Sequence, residues 1–487
     1  MRHAPTTHPT IFEQVEIIDA GSEGMSVGKV NDKVIFVPFV VPGDVVDVQI
    51  VRRKKKYLEG KAIKFHTLST KRIDPHCSHF GVCGGCRWQN MQYSEQLYYK
   101  QKQVFDNLTR IGKLEQPVIL PILPSPETRY YRNKLDFTFS NHRWLTEDDK
   151  NLESGMADTR ALGFHVPQFF DKVVDIQECF HQKDPSNVIR NVMRKYAFEN
   201  NLSFYDVRIW QGFLRNLIIR TTHAGGLMLI VVFQHEDEAI SPLLTHLLKT
   251  FPEITSLYYV INPKKNDTIN DLEFRLFAGE PYITEKMPPF KQNAAEIQFR
   301  IGPASFFQTN SLQSFNLYRT AAEFAGFSGN ERVYDLYTGT GTIANYIAPY
   351  IGNVIGIESV ESAIFDARIN SQINGIKNTL FFAGETEKIL TPEFTAQYGI
   401  PDVIITDPPR TGMHEKVINT ILTILPEKIV YVSCNPATQA RDILLLSESY
   451  IMVKCQPIDM FPHTQHVENV ALLTKKVSPF PTAQESS

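Results

Sequence analysis

Cys434 is the residue of this sequence whose neighbours most favour covalent chemistry. It follows the β-type run 429–433 and precedes Asn435-Pro436, so a predicted strand delivers its thiol to a turn. The unperturbed pKa of a cysteine is about 8.5, so a reactive thiol needs surroundings that favour the thiolate. A buried strand cysteine is more often inert, but the position at a strand end favours chemistry here.

Two further strand ends carry groups suited to a site. Asp407 follows the predicted strand 402–406 and precedes two prolines, which restrict the backbone after it. The turn 335–341 contains Gly339 and Gly341, which let the backbone turn tightly and approach a ligand. Because the carboxyl ends of parallel strands meet at one sheet edge, we expect thiol, carboxylate and turn to share a cleft.

The glycine turn indicates a nucleoside cofactor. About twenty residues later the next strand ends at Glu358, and an acid at that spacing can accept hydrogen bonds from two ribose hydroxyls. The turn lacks the full glycine pattern of dinucleotide sites and the Gly-Lys-Ser/Thr of phosphate loops. S-adenosylmethionine has no phosphate groups, so it fits better than NAD or ATP.

Glu468 is a further candidate for acid–base chemistry. We expect it to precede a closing strand at 471–475 and to face the same cleft. A lone glutamate is usually a surface charge, so the residue pattern by itself does not select it.

Four other cysteines could bind a metal. Cys77, Cys83 and Cys86 are clustered with glycines between them, and Cys179 follows at a distance. Clustered cysteines in a long intracellular chain indicate metal binding or chemistry more often than disulfides. Four thiolates suit an iron–sulfur cluster or zinc, and the spacing leaves both open.

Size and composition predict a soluble protein of two to four domains. The chain has 487 residues with 43% hydrophobic and 21% charged residues, typical of soluble globular proteins. No apolar run approaches the ~20 residues that span a bilayer. The first ten residues lack the apolar segment of a secretory signal, so we expect no membrane association and a cytoplasmic location.

Charge is unevenly placed although the formal net charge is only −3. Between Arg52 and Arg72 nine lysines and arginines face one acid, Glu59. Such an excess can steer a phosphate backbone, although a solvated face is an equally good reading of a basic run alone.

The order of the predicted elements indicates three domains. Short alternating strands over 8–67 predict a small OB-like β-barrel, and mixed strands and helices over 68–290 predict an α+β central domain. Alternating strands and helices over 291–478 predict an α/β domain with a doubly wound, mostly parallel sheet. Residues 479–487 read as a flexible tail.

Together the motifs resemble the RNA uracil-5-methyltransferase family over nearly the whole chain. The motifs that stand in family order are Phe307-Gln308-Thr309-Asn310, 335–341, Gly356-Ile357-Glu358, Asp407-Pro408-Pro409-Arg410, 433–438 and His466-Val467-Glu468. The resemblance implies a Rossmann-like S-adenosylmethionine-dependent domain in which Cys434 is the nucleophile and Glu468 the base.

The resemblance also implies which residues line the cofactor site. These are Gln308, Tyr337 and Glu358, together with Asp407, which we also count with the catalytic group, and Gly339 of the turn. Many relatives have Cys-Gly where this loop has Thr338-Gly339. That side chain is not the nucleophile, so we expect little consequence.

The N-terminal barrel resembles a TRAM domain, an RNA-binding module. TRAM plus the cysteine cluster is the pattern of the ribosomal branch of the family, which implies a [4Fe-4S] cluster on Cys77, Cys83, Cys86 and Cys179 and favours 23S rRNA as substrate. Zinc, a tRNA substrate and a non-catalytic RNA-binding or assembly factor stay open as alternatives. A radical enzyme would need Cys-x3-Cys-x2-Cys, which is absent; we expect a monomer.

Overall fold

Three sheets and a hairpin follow one another along the chain. The computed structural model describes residues 10–145, 149, 158–292 and 294–476. It contains a closed five-stranded barrel, a seven-stranded sheet, a two-stranded hairpin and a second seven-stranded sheet. The predicted fold class, an α/β domain with a small N-terminal barrel and a central α+β region, is confirmed. The predicted tail at 479–487 lies outside the described residues.

The barrel is closed by strands in the order β1-β2-β3-β5-β4. Its strands are β1 (Ile11–Ala20), β2 (Ser26–Val30), β3 (Lys33–Val37), β4 (Val45–Arg53) and β5 (Tyr57–Thr67). Successive side chains of a strand face opposite sides, so Ile35, Val37, Val46 and Val48 fill the interior. Lys55 and Lys56, in the turn between β4 and β5, are exposed to solvent.

Helix α1 (Tyr93–Arg110) follows the barrel but packs on the last sheet of the chain. Its Val104 and Leu108 are fully buried in a core with Tyr334 and Leu336 of that sheet. The N-cap position of α1 is Gln92, and no side chain caps this end of the helix.

The middle sheet is mixed, in the order β12-β11-β10-β9-β6-β7-β8. Its elements are β6 (Lys134–Ser140), β7 (Ala161–His165), β8 (Val173–Asp175), α2 (Ser186–Glu199), β9 (Leu214–Thr221), β10 (Leu227–Phe233), α3 (Ile240–Thr250), β11 (Ser256–Ile261) and β12 (Arg275–Gly279). Helices α2 and α3 cover one face. On the other face Ile218 and Ile230 share a core with Leu317 of the last domain, so the two regions pack together.

The last sheet has the order β17-β16-β15-β18-β19-β21-β20. Its strands are β15 (Arg332–Leu336), β16 (Asn353–Glu358), β17 (Thr379–Ala383), β18 (Val403–Thr406), β19 (Lys428–Ser433), β20 (Tyr450–Ile458) and β21 (Glu468–Lys475); the preceding hairpin is β13 (Ile283–Met287) and β14 (Ile297–Ile301). The first five strands are parallel, whereas β20 and β21 are antiparallel to their neighbours. The expectation that Glu468 precedes the closing strand is wrong, because it is the first residue of β21.

Helices cover both faces of this sheet. They are α4 (Ser311–Ala325), α5 (Thr342–Ile347), α6 (Glu361–Ile373), α7 (Thr386–Ile389), α8 (Pro392–Tyr398), α9 (Glu415–Ile424) and α10 (Pro436–Leu446). The strands between them are apolar on both sides, as strands of a doubly covered sheet must be. No helix within the described ranges is long and apolar enough to cross a bilayer.

Candidate active site

A cleft of about 1070 Å³ opens at the carboxyl edge of the last sheet. All of the residues predicted for catalysis and cofactor binding line it: Gln308, Tyr337, Gly339, Glu358, Asp407, Cys434 and Glu468. The cleft thus brings together side chains that lie up to 160 residues apart in the chain (308 to 468).

Strand direction explains this convergence. Tyr337, Asp407 and Cys434 directly follow the parallel strands β15, β18 and β19, and Glu358 is the last residue of parallel β16. The carboxyl ends of parallel strands lie along one edge, where ligands of such sheets bind.

Glu468 lies at the same edge of the sheet, although its strand runs in the opposite direction. Strand β21 is antiparallel to β19, with Asn469 opposite Ser433, so the beginning of β21 lies beside the end of β19. Gln439 of α10 bridges the two strands, because its Nε2 donates to the carbonyl oxygens of Tyr431 in β19 (2.9 Å) and of Asn469 in β21 (3.1 Å). Its Oε1 also accepts from Asn469 Nδ2 (2.7 Å). Glu468 is therefore held close to Cys434 by the sheet itself.

The turn after β19 presents the Cys434 thiol to the cleft. Asn435 caps helix α10 by accepting from the Ala437 N–H (3.1 Å), and Pro436 stands at the first helical position, where it loses no hydrogen bond. Asn435 Nδ2 also donates to the Arg410 carbonyl oxygen (2.9 Å), which ties this turn to the Asp-Pro-Pro-Arg turn. The amino end of an α-helix next to the thiol favours its thiolate.

Two carboxyl groups beside the thiol titrate near neutrality. Burial first, and then the charge of Asp407, raise the pKa of Glu468 to about 8. Burial first, and then the charge of Asp335, raise the pKa of Asp407 to about 7. A general base works best when its pKa lies near the operating pH, so both groups are suited to proton transfer.

Burial and nearby carboxyl groups, in contrast to the helix end, favour the protonated form of the Cys434 thiol. Burial first, and then the charges of Glu468 and Asp407, raise the pKa of Cys434 to about 11, while Arg410 lowers it. Thiolate formation must therefore accompany addition to a substrate, with a neighbouring carboxylate accepting the proton.

The glycine turn is shaped by its backbone and by Glu358. Tyr337 and Gly339 have φ values of 63° and 56°, in the left-handed region that an aromatic residue rarely adopts. The Gly339 N–H donates to Glu358 Oε2 (3.1 Å), and the Val360 N–H donates to Oε1 (2.9 Å). Oε1 also accepts from Ser359 Oγ (2.9 Å), so the capacity for a further hydrogen bond, such as one from a ribose hydroxyl, lies at Oε2.

Asp335 holds the turn from below. Its Oδ2 accepts from Thr338 Oγ1 (2.5 Å) and from the Ala344 N–H (3.1 Å), which joins the turn to helix α5. Burial raises the pKa of Asp335 to about 7. Thr338 is buried and its hydroxyl points to this carboxyl, so it acts within the turn rather than towards the thiol.

Comparisons with known proteins place this chain among the RNA methyltransferases. Residues 273–476 match the family described as tRNA (Uracil-5-)-methyltransferase, and residues 13–63 match the TRAM domain. A Bacteroides thetaiotaomicron protein described as an uncharacterized RNA methyltransferase is 57% identical, over 93% of this chain and 99% of its own length. A Porphyromonas gingivalis protein with the same description is 51% identical, over 95% and 99%.

The chain belongs to the RNA uracil-5-methyltransferase family. The resemblance inferred from the motifs, including the TRAM domain, is thereby confirmed. The crystal structure of Pyrococcus abyssi tRNA (uracil-54, C5)-methyltransferase in complex with S-adenosyl-L-homocysteine is similar, with a TM-score of 0.73 and 30% identity. The match covers 94% of this chain and 100% of that one.

The site of this family member contains residues that the sequence reading did not select. Phe306 and Phe365 line the cleft and remain 66% and 62% exposed, so their rings are free to stack on a ligand. Arg410 lies beside Cys434, and its Nη2 is 3.5 Å from His466 Nδ1. Arg410 stands within the Asp-Pro-Pro-Arg motif and could have been selected; exposure of an aromatic ring has no signal in the sequence.

The four remaining candidates, Cys77, Cys83, Cys86 and Cys179, line a separate cavity of about 130 Å³. Burial first, and then the charges of Cys77 and Cys179, raise the pKa of Cys83 and of Cys86 to about 12. Arg132 lines both this cavity and the catalytic cleft, so the two sites share a wall.

The arrangement of these thiols can be compared with the needs of zinc and of a cluster. Four sulfur ligands of one zinc ion lie about 3.8 Å apart, as follows from Zn–S bonds of about 2.3 Å in a tetrahedron. Among the residues that the structure describes, no three His, Cys, Asp or Glu side chains surround a point that could hold a single ion. The [4Fe-4S] cluster and zinc at these four cysteines therefore both stay predictions.

Proposed function

We propose that this protein transfers a methyl group from S-adenosylmethionine to C5 of a uridine in RNA, with 23S rRNA as the favoured substrate. The observation that carries the proposal is the single cleft that holds the Cys434 thiol, the Glu468 carboxyl group and the predicted cofactor residues. Membership of the RNA uracil-5-methyltransferase family supports the same chemistry.

Cys434 makes the uracil reactive. C5 of uracil is a poor nucleophile, but addition of the Cys434 sulfur to C6 moves the ring electrons towards C5 and O4 and makes C5 enolate-like. Asp407, whose pKa is about 7, accepts the thiol proton as the S–C6 bond forms. This is covalent catalysis, in which one difficult step becomes two easier ones.

Glu468 completes the reaction. Once C5 carries the methyl group, its proton must leave before the C5=C6 bond can re-form and expel the Cys434 sulfur. A carboxyl group with a pKa near 8, held at the start of β21, is suited to take that proton.

The cofactor supplies an electrophilic methyl group on a sulfonium sulfur. Glu358 and the Gly339 turn are placed to bind its ribose, and Gln308 and Tyr337 line the same part of the cleft. The exposed rings of Phe306 and Phe365 offer surfaces on which an adenine or uracil base can stack.

The target uridine must leave its RNA stack to reach the thiol, at a cost of a few kcal/mol that contacts to the rest of the RNA must offset. The exposed lysines of the barrel are suited to phosphate contacts, which carry much of the affinity for RNA. The TRAM match over 13–63 supports this role for the barrel.

Two RNA substrates compete within this proposal. The barrel together with the four-cysteine cavity favours 23S rRNA, because that combination marks the ribosomal branch in the resemblance described above. The second candidate is tRNA, which is favoured by the similarity to the Pyrococcus abyssi enzyme, a tRNA (uracil-54, C5)-methyltransferase by name.

We further propose that the four cysteines hold a [4Fe-4S] cluster with a structural role. Their thiols line one cavity, and burial raises the pKa of each, whereas a bound cation would favour the thiolates. Methyl transfer as written needs no electron transfer, so the group would organise the fold between the middle sheet and the cleft.

The test is methyl transfer from labelled S-adenosylmethionine to unmodified 23S rRNA and to unmodified tRNA in separate reactions. We expect 5-methyluridine, identified by mass spectrometry, in 23S rRNA. Label in tRNA alone would replace the favoured substrate by the second candidate. Label on another base, or on another atom of uridine, would refute the proposed chemistry.

A further inference from the structure

The connection between β20 and β21, residues 459–467, leads directly into Glu468 and is hydrogen-bonded at five consecutive residues. Its first five residues, 459–463, each accept or donate a bond to a distant part of the chain. A stretch without regular structure that is tied at five consecutive residues has its geometry fixed by the rest of the fold. The partners of these bonds come from three different parts of the fold.

Helix α1 provides the charged partners. Lys100 Nζ donates to Asp459 Oδ1 (2.5 Å) and to the Phe461 carbonyl oxygen (2.9 Å), and Tyr93 Oη donates to Asp459 Oδ2 (2.8 Å). The side chains of Lys100 and Asp459 are both 0% exposed. The pair therefore lies wholly inside the protein, between α1 and the connection.

Helix α4 and the start of the middle region hold the next residues. Asn310 Nδ2 donates to the Met460 carbonyl oxygen (3.1 Å), and Tyr131 Oη donates to the Pro462 carbonyl oxygen (3.0 Å). Asn310 is the last residue of the Phe307-Gln308-Thr309-Asn310 motif, whose Gln308 and Thr309 line the cleft, so this end of the connection is tied to the cleft wall.

The cysteine-rich segment holds the fifth residue. The N–H groups of Arg87 and Trp88, next to Cys86, donate to the His463 carbonyl oxygen (2.9 and 3.0 Å). The His463 N–H donates to Gln96 Oε1 of α1 (2.8 Å). The His463 side chain lines the cysteine cavity, whereas Phe461 and His466 line the catalytic cleft.

The buried ion pair contributes little to stability but can fix the position of the 459–467 connection. Taking two charges out of water costs about as much as their attraction returns, and apolar residues of similar size often serve stability as well. What an apolar pair cannot do is donate to a carbonyl oxygen and accept from a hydroxyl in one fixed geometry. A general base needs such geometry, because misplacement by about 1 Å can cost 10²-fold in rate.

We propose that Lys100 and Asp459 are positioning residues for Glu468. They hold the 459–467 connection so that the carboxyl group at the start of β21 faces C5 of the methylated uracil adduct. The inference rests on the proposed function, since it assumes that Glu468 removes the C5 proton. The buried pair should therefore affect only the removal of the C5 proton.

That step gives the test a specific readout. The Cys434 adduct forms before the C5 proton leaves, so a misplaced Glu468 delays release and leaves RNA covalently bound to the protein. We expect Lys100→Met to lower kcat by about 10- to 100-fold. The KM for S-adenosylmethionine stays near the wild-type value, and a denaturation-resistant protein–RNA complex accumulates.

A second variant covers the case in which Lys100→Met does not fold, because it leaves Asp459 without its cation. K100M/D459L removes both charges and should keep the fold, as apolar replacements of buried pairs do. The matched control is Lys428→Met: Lys428 Nζ also donates to a carbonyl oxygen, that of Ala325 (2.7 Å), but at the opposite end of β19 from Cys434. We expect no trapped RNA with this control.

Glu468→Gln separates failure of this inference from failure of the proposed function. If Glu468→Gln traps RNA while a folded K100M/D459L turns over and releases RNA as wild type does, the positioning role is wrong. A folded K100M/D459L that loses activity without trapping RNA also overturns it. If Glu468→Gln itself traps no RNA and keeps full activity, the proposed role of the base is wrong.

Discussion

Cysteine side chains line two cavities of this protein, and the groups around the thiols differ between the two. Cys434 is half-buried in a cleft of about 1070 Å³, beside Glu468, Asp407 and Arg410. The other four cysteines line a cavity of about 130 Å³. Burial raises the pKa of the thiol in both places, to about 11 for Cys434 and to about 12 for Cys83 and Cys86.

The pKa alone therefore does not distinguish a nucleophile from a metal ligand here. What differs is the group that can take the proton and the space available to a substrate. The cleft has two carboxyl groups that titrate near 7 and 8 and has room for a base and a cofactor. The smaller cavity brings four thiols together, and a metal cation bound there would favour their thiolates.

The largest expected effect comes from removing the thiol of the cleft. Cys434→Ala should lower methyl transfer by more than about 10⁴-fold, since loss of a nucleophile removes the covalent route entirely. Single-turnover transfer of labelled methyl groups measures it. Cys455→Ala is the control, because Cys455 is fully buried in the core of the same domain and should keep its activity. If Cys434→Ala transferred methyl groups at the wild-type rate, Cys434 would not be the nucleophile. The proposed difference in role between the thiols of the two cavities would then be wrong.

Glu468→Gln tests the proton acceptor of the cleft. We expect a loss of about 10²- to 10⁴-fold in kcat, the usual contribution of a general base. In the wild type, kcat/KM should rise with pH up to about 8, because only the deprotonated carboxylate accepts a proton. The pH–rate profile of Glu468→Gln should lack this rise. If the profile is unchanged, a group other than Glu468 causes the rise.

The raised pKa of Glu468 also has a consequence for stability. Folding raises it from 4.5 to about 8, so the folded state binds the proton more tightly than the unfolded state. The stabilisation is complete below pH 4.5 and is lost as the pH rises through 8. Glu468→Gln cannot titrate at this position, so its Tm should fall less than that of wild type between these limits.

The corresponding test of the second cavity replaces one of its four cysteines. Cys83→Ser should lose iron and lower Tm by about 5 °C or more, because a group that links distant segments stabilises the folded state alone. Iron content and visible absorbance are compared with those of Cys434→Ala, which should keep its iron. Full iron retention by Cys83→Ser would count against the cluster, and zinc in its place would revive the alternative.

Local patterns predicted most of the cleft, because each residue ends a strand that the sequence marks clearly. The run 428–433 and the turn after it suffice to place Cys434, and a strand followed by glycines suffices for Tyr337 and Gly339. For Glu468 the motif predicted the role but not the element. Its place depends on β21 running antiparallel to β19, and strand direction is set by pairing over long distances rather than by local sequence.

The pairing of distant segments could not be predicted at all. Helix α1 belongs to the central region by its position in the chain, yet it packs on the last sheet, and Ile119 and Leu123 extend that sheet beside Cys455 and Ile458. Nor does any sequence signal indicate that Lys100 meets Asp459, since a lysine inside an amphipathic helix usually faces solvent. Such contacts arise from the packing of whole elements and become visible only in the folded chain.

The smallest expected effect comes from adding a thiol to the cleft wall. Thr338→Cys removes the hydrogen bond from Thr338 Oγ1 to Asp335 Oδ2. The loss should cost about 1 kcal/mol in unfolding free energy. The KM for S-adenosylmethionine should hardly change, since the Ala344 N–H still holds Asp335.

The same substitution in a Cys434→Ala background asks whether any thiol near the cleft can react. Thr338 is buried beneath the turn, and its side chain points to Asp335 rather than to the uracil position beside Glu468. We therefore expect no recovery of methyl transfer and no covalent RNA adduct in T338C/C434A. Recovery would show that a thiol in this cleft reacts wherever it is placed, and that the alignment of Cys434 with Glu468 at the ends of β19 and β21 is not what selects the nucleophile.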